Sequence, residues 1–270
     1  MTEQLVAAGM KRDALRELLR KSAPLVIAYS GGVDSAFLLA VAVETLGRNC
    51  LGVIADSPSL PRQALADASG LAEELGAQIE IVETTEMQDP HYTSNPVNRC
   101  YYCKAELFTK LETLARERGY RAIAYGENAD DALQVRPGRQ AAVEFAVLAP
   151  LKEVGLTKSE IRSLSRAMRL PTADAPAQPC LSSRIPHGTP VTAAVLNMIE
   201  RAEAAVRQLG FRVFRVRHVA EGIRTRARVE IAPNEMPVAP LRVHALQEAL
   251  RGVGYDEVFI DPQGYRSAVA

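Results

Sequence analysis

Cysteine is scarce in this sequence: Cys50, Cys100, Cys103 and Cys180 are the four in 270 residues. That is too few for a disulfide scaffold, and the opening stretch MTEQLVAAGMKRDALRELLR reads as a charged amphipathic helix rather than an apolar leader. A reducing, cytoplasmic setting is expected, in which a C-x-x-C pair serves a metal or redox chemistry more readily than a stable crosslink. Long apolar runs are absent too, none reaching the roughly 18 residues that a membrane span needs. There is no excess of charge of either sign, with 32 Lys plus Arg against 32 Asp plus Glu. The overall balance therefore calls for neither nucleic acid nor an anionic membrane, and any basic site must be local. Also missing are G-x-x-x-x-G-K-[ST] and G-x-G-x-x-G, which disfavours γ-phosphate chemistry and a dinucleotide.

What is present is an alternation of strand and helix patterns to about residue 170. PLVIAYS (24–30) leads through two glycines to the helical DSAFLLAVAVETLG; CLGVIADS (50–57) precedes a helix over 62–76. QIEIVET (78–84) precedes a helix from the cysteine pair to Arg118, and RAIAYGEN (121–128) is a further strand. The pattern predicts an α/β fold, a mostly parallel sheet with helices on both faces and ligands at the carboxyl ends of its strands. The loops after residues 29, 56 and 126 should then share one rim. The proline-rich LPTADAPAQP (170–179) reads as a linker. Beyond it come a helix (191–209), a strand pair (211–219 and 224–231), a helix (238–251) and the strand DEVFID. Two adjacent strands suggest an antiparallel sheet, hence domains 1–170 and 171–270, the second a smaller α+β domain.

SGGVDS (30–35) is the strongest local signal. A strand delivers the chain to Gly31 and Gly32, which let the backbone approach a ligand closely. The helix that follows points amides and its positive dipole end at it. Ser30 and Ser35 add hydroxyls, and Asp34 would orient the loop or a Mg²⁺ ion; the arrangement suits pyrophosphate. Cys50 begins a strand, at the end opposite the rim, and reads as a core thiol. Arg215 and Arg217 share one strand face, as do Arg224, Arg226 and Arg228 on the next. If those rows meet, like charges repel unless an anion stands between them.

S-G-G-x-D-S after a first strand resembles the PP-loop, or N-type, ATP pyrophosphatases, which cleave ATP between the α and β phosphates and adenylate a substrate. That superfamily includes amidotransferases, NAD synthetase and tRNA-thiolating enzymes. NRCYYCKAELF, GENADD (126–131), RPG (136–138), PCLSSRIPHGTPVT (179–192), FRVFRVRH (211–218) and GYRS (264–267) cover almost the whole chain. In that order and spacing they resemble the LarE family of sulfur transferases, which make the thiocarboxylates of the nickel-pincer nucleotide cofactor of lactate racemase.

The resemblance implies a pyridinium mononucleotide as substrate, its carboxylates activated by ATP as acyl adenylates before sulfur displaces AMP. It places ATP, with Mg²⁺, at Ser30, Gly31, Gly32, Asp34, Ser35, Asp56, Ser57 and Gly126, and gives Lys104 a charge-stabilising role. Ser182, Ser183, Arg184, Arg215 and Arg217 become candidates for the substrate phosphate. Cys180 matches the cysteine that the sacrificial branch of the family consumes, but in that branch the positions of Cys100 and Cys103 are not cysteines. Three cysteines from two segments suit three irons of a [4Fe-4S] cluster, leaving the fourth to hold a sulfide. Zinc completed by His91 or His187, a redox pair, and Cys180 as a sacrificial donor stay open as alternatives. The resemblance further implies a homo-oligomer built from trimers. tRNA thiolation is the alternative within the superfamily, disfavoured by the neutral overall charge.

Overall fold

The computed structural model describes residues 3–133, 137–177, 179–222 and 224–266; Arg136 and Ser267 of the motifs above lie outside them. The chain divides into two units, Met1–Glu86 with Asn98–Ala175, and Met87–Val97 with Pro176–Ala270. Residues 87–97, expected within the first domain, thus group with the later part of the chain.

The first unit opens with α1 (Glu3–Ser22), β1 (Leu25–Ala28), α2 (Val33–Leu46), β2 (Cys50–Asp56), α3 (Arg62–Glu74) and β3 (Ile79–Glu83). The short α4 (Pro90–Thr93) belongs to the second unit. The first resumes with α5 (Arg99–Arg118), β4 (Ala122–Tyr125), α6 (Pro137–Glu144), α7 (Pro150–Glu153) and α8 (Lys158–Ala167). Its four strands are all parallel, in the order β3-β2-β1-β4. Alternation along β1 explains why both faces are covered. Leu25 and Ile27 join Leu15, Phe37, Leu71 and Ile161 of α1, α2, α3 and α8. Val26 joins Phe108, Leu111 and Ala141 of α5 and α6. Parallel strands bring the carboxyl ends of β1, β2 and β4 to one rim, as the strand order requires.

The second unit continues with α9 (Ala193–Gln208), β5 (Phe214–Glu221), β6 (Arg224–Ile231), α10 (Ala239–Val253) and β7 (Glu257–Ile260). Its sheet is mixed, not antiparallel: β6 pairs antiparallel with β5 but parallel with β7. The reason is α10, a crossover long enough to return the chain so that β7 enters in the direction of β6. Val216, Ala227, Val229 and Val258 pack with Ala202 and Val206 of α9 and Leu246 and Leu250 of α10. Asn95 pins the α4 segment within this unit. Fully buried and at φ +57°, it donates from Nδ2 to Pro186 O and Thr189 O, each at 2.8 Å. Its short polar side chain tolerates the left-handed backbone.

Cys50 opens β2 at 1% exposure, its thiol donating to Gly47 O at 3.3 Å, and burial pushes its pKa up to about 11. At pH 8 it is therefore protonated and shielded. Iodoacetamide added to the native protein at pH 8 should label the exposed Cys100 and spare Cys50 until urea unfolds the chain, as read by peptide mass spectrometry. Equal native labelling of Cys50 would contradict its place in the core.

Candidate active site

The loop after β1 is built by close approach. Gly31 has φ +74°, and a Cβ there would stand 2.8 Å from the Ala68 Cβ, so both backbone and space demand glycine. Gly32 caps α2, whose first intrahelical bond runs from Ala36 N to Gly32 O at 2.8 Å. The amides of residues 33 to 35 precede that bond and are the helix's anion-seeking end. Ser35 Oγ ties the loop together, meeting Ser30 Oγ at 3.1 Å, accepting from Ser30 N at 3.2 Å and donating to Gly32 O at 3.1 Å. Asp34 Oδ2 accepts from Lys158 Nζ at 2.8 Å and Asn128 Nδ2 at 3.2 Å. Its Oδ1 is buried without a hydrogen-bond partner among the described residues. A buried carboxylate oxygen left unsatisfied is costly, and its chemistry suits a hard cation.

The loop after β4 closes on the same point. A Cβ at Gly126 would stand 2.7 Å from Ser35 N, so the end of β4 packs on the start of α2. Asn128 bridges Asp34 and Asp131, donating to Asp131 Oδ2 at 2.9 Å while its Oδ1 accepts from Asp130 N at 2.9 Å and Asp131 N at 3.1 Å. Asp130 Oδ2 accepts from Lys158 N at 2.7 Å. Asn128 and Lys158 were not singled out in the sequence. A lysine opening a helix that starts on the Thr157–Glu160 capping box was the available signal for one of them. At the end of β2, Asp56 pairs with Arg62 at 2.6 Å. Ser57 Oγ donates to the buried Glu86 and accepts from Ser59 N at 2.9 Å.

Cys100 and Cys103 lie near the start of α5, three residues apart and so on one helix face, the first exposed and the second half-buried. Within each unit, no group of three or more His, Cys, Asp or Glu among the described residues is arranged as a metal-ligand set. Lys104 Nζ sits 4.5 Å from the centre of the Tyr125 ring. A Cβ at Gly138 would stand 2.8 Å from Lys104 Cδ and 3.2 Å from Cys100 O, so α6 approaches α5 closely there. The Tyr125 hydroxyl donates to Glu127, and burial, then that hydrogen bond, raises the phenol pKa above its ordinary value. Glu127 is 6% exposed and faces Arg139 Nε at 3.3 Å and Lys152 Nζ at 3.5 Å. Glu127 falls within the GENADD motif, whereas Arg139 and Lys152 did not feature in the sequence reading.

In the second unit, half-buried Cys180 precedes a 3₁₀ turn, Leu181–Arg184. Arg184 folds back, donating from Nη1 to Cys180 O at 3.2 Å and Ser183 Oγ at 3.0 Å. Its Nε donates to Glu203 Oε1 at 2.8 Å and its Nη2 to Oε2 at 3.2 Å. Ser182 is fully buried and shares a 2.7 Å hydrogen bond with Tyr92 Oη. The arginine rows do meet, Arg217 standing opposite Arg228. Buried Glu230 lies between them, accepting from Arg217 Nε at 3.0 Å and Arg228 Nη2 at 3.3 Å. Arg217 Nη1 also donates to Ser183 O at 2.7 Å. Arg215 differs. At 2% exposure it lies over the Tyr265 ring and donates to Tyr265 Oη at 2.9 Å and Arg266 O at 3.4 Å. No carboxylate pairs with it among the described residues, and burial lowers its pKa. A buried guanidinium met by neutral groups is suited to a phosphate or carboxylate.

Glu203→Gln removes the counter-charge of a guanidinium that is itself 5% exposed. It should lower unfolding stability by about 3 kcal/mol in urea titrations, because breaking one side of a buried pair strands the other. A loss below about 1 kcal/mol would show that water reaches Arg184.

A family model described as NAD synthase matches residues 10–135. An uncharacterized protein of Synechocystis sp. is 40% identical over 95% of each chain. The pyridinium-3,5-bisthiocarboxylic acid mononucleotide synthase of Lactiplantibacillus plantarum is 30% identical over 97% of this chain and 94% of its own. An NH(3)-dependent NAD(+) synthetase of Methanococcoides burtonii is 36% identical over 72 residues, 26% of this chain.

Proposed function

Because the chain belongs to the LarE family of PP-loop sulfur transferases, we propose that it activates carboxylates with ATP and converts them to thiocarboxylates. The substrate is a pyridinium mononucleotide carrying two carboxylates, and the product serves nickel-pincer cofactor biosynthesis. The observation that carries this reading is the loop after β1. There Gly31, the α2 amides and the serine hydroxyls form a pyrophosphate cradle beside a buried, unsatisfied Asp34 oxygen. Asp34 would hold Mg²⁺ through that oxygen, and the ion would supply charge neutralisation for the triphosphate. A substrate carboxylate oxygen bonds to the α-phosphorus while the bond to the β-phosphate oxygen breaks, giving an acyl adenylate and pyrophosphate. A sulfur nucleophile then displaces AMP. Asp56, Ser57 and Gly126, at the ends of β2 and β4, border the nucleotide, and Lys104 supplies charge near the reacting phosphate.

The mononucleotide phosphate is assigned to Arg215, supported by its lack of a carboxylate partner among the described residues, with Arg217, Arg184, Ser183 and Ser182 ordering the segment that carries Cys180. We assign Cys180, Cys100 and Cys103 as ligands of a [4Fe-4S] cluster, Cys180 standing nearest the transferred sulfur in role. Two thiols on one face of α5 near its start fit this use. When bound, such a cluster supplies an iron with an open position for sulfide. A trimer-based homo-oligomer, without nucleic acid, completes the proposal.

Protein purified without oxygen, or reconstituted anaerobically, should carry about four irons and four acid-labile sulfides per chain, all lost when Cys100, Cys103 and Cys180 are replaced together by alanine. Zinc instead, or no metal, would contradict the cluster; a mass loss of one H₂S after turnover would then identify Cys180 as a consumed donor.

A further inference from the structure

Residues 87–97 leave the first unit to join the second, and the reaction proposed above gives them no part. Within this strap α4 is four residues long, far below the roughly 12–15 that an isolated helix needs in water, so it persists through what holds it from outside. Asp89 caps it, Oδ1 accepting from His91 N at 2.8 Å. Its far end is sewn to the segment that follows Cys180. Val191 N donates to Thr93 O at 2.8 Å and Gly188 N to Asn95 O at 2.9 Å, while Asn95 Nδ2 donates in return to Pro186 O and Thr189 O.

Tyr92 is the buried residue of α4, at 1% exposure. Its Oη and Ser182 Oγ, 90 positions apart in sequence, share a hydrogen bond at 2.7 Å, the usual optimum between two hydroxyls. Ser182 is fully buried and Leu181 is 1% exposed, so both residues that follow the half-buried Cys180 are locked in place. Arg184 and Arg217 fasten the same turn at Cys180 O and Ser183 O. A turn held at two points can pivot about the line joining them; a third contact, through the Ser182 side chain, stops the pivot. Phenylalanine would fill the space of Tyr92 without supplying that contact. The strap then runs on through Asn98 and Arg99 to Cys100, so the segment that steadies one cysteine leads directly to the other two.

We infer that Tyr92 is a positioning residue for the Cys180 thiol, acting through Ser182 to hold the sulfur in one orientation. The purpose of that placement, sulfur transfer, rests on the functional reading above; the placement itself does not.

The test uses the full chain, kept metal-free by chelation, with iodoacetamide labelling of each cysteine followed by peptide mass spectrometry. Tyr92→Phe and Ser182→Ala should each speed labelling of Cys180 about threefold or more by freeing the turn, with Cys103 unaffected and with β5 and β6 keeping their hydrogen-exchange protection. Because the two side chains act through one bond, the double variant should label no faster than either single one. An unchanged Cys180 rate in Tyr92→Phe, or single effects that multiply in the double variant, overturns the inference. So does loss of β5 and β6 protection, which would show that Tyr92 supports the whole unit and not the turn. In turnover, Tyr92→Phe should slow thiocarboxylate formation about tenfold while exchange of pyrophosphate into ATP is retained. If the wild type shows no such exchange, the functional reading falls, and the labelling result still decides the role of Tyr92.

Discussion

The approach of Gly126 to the amide of Ser35 is the constraint on which the first unit's chemistry depends. With only 2.7 Å between that amide and a notional Cβ, any side chain at 126 would push β4 away from the start of α2. Close contact lets Asn128 reach Asp34 and Asp131, and lets Lys158, from a helix much later in the chain, join Asp34. One glycine therefore connects the loop after β1 with the cluster around the Asp34 oxygen that suits a cation.

The second unit solves a different electrostatic problem. Four arginines, 184, 215, 217 and 228, are gathered about two buried carboxylates, Glu203 and Glu230. Three of them have ionic partners, and the fourth, Arg215, is held by an aromatic face and neutral oxygens. Charge of that kind is maintained by the packing around it and is satisfied best by an anion from outside the chain. The turn bearing Cys180 is fastened to this cluster through Arg184 and Arg217, so the position of the thiol depends on the packing of these guanidinium groups.

Local pattern was enough for the elements that repeat. The apolar runs at 24–30 and 50–57 became β1 and β2, the two glycines became the loop, and Cys50 went into the core, because strand alternation and glycine geometry act over a few residues. Long-range pairing was not legible. Lys158 and Asp34 are 124 positions apart, and nothing near either residue names the other. The question of what separates the arginine rows was visible, but its answer, Glu230, depended on the β5–β6 register. The allegiance of residues 87–97 was hidden because it rests on Asn95 binding carbonyls about 90 positions later. The mixed sheet was missed because the direction of β7 is set by α10 and not by the strand's own residues.

The central claim is that the loop after β1 activates a carboxylate by adenylation. The most direct measurement is exchange of labelled pyrophosphate into ATP with Mg²⁺ and pyridinium-3,5-dicarboxylate mononucleotide, with sulfide withheld. The account predicts exchange that requires the dicarboxylate and disappears in Asp34→Asn. Absence of exchange in metal-loaded wild type, or exchange indifferent to the dicarboxylate, would contradict it.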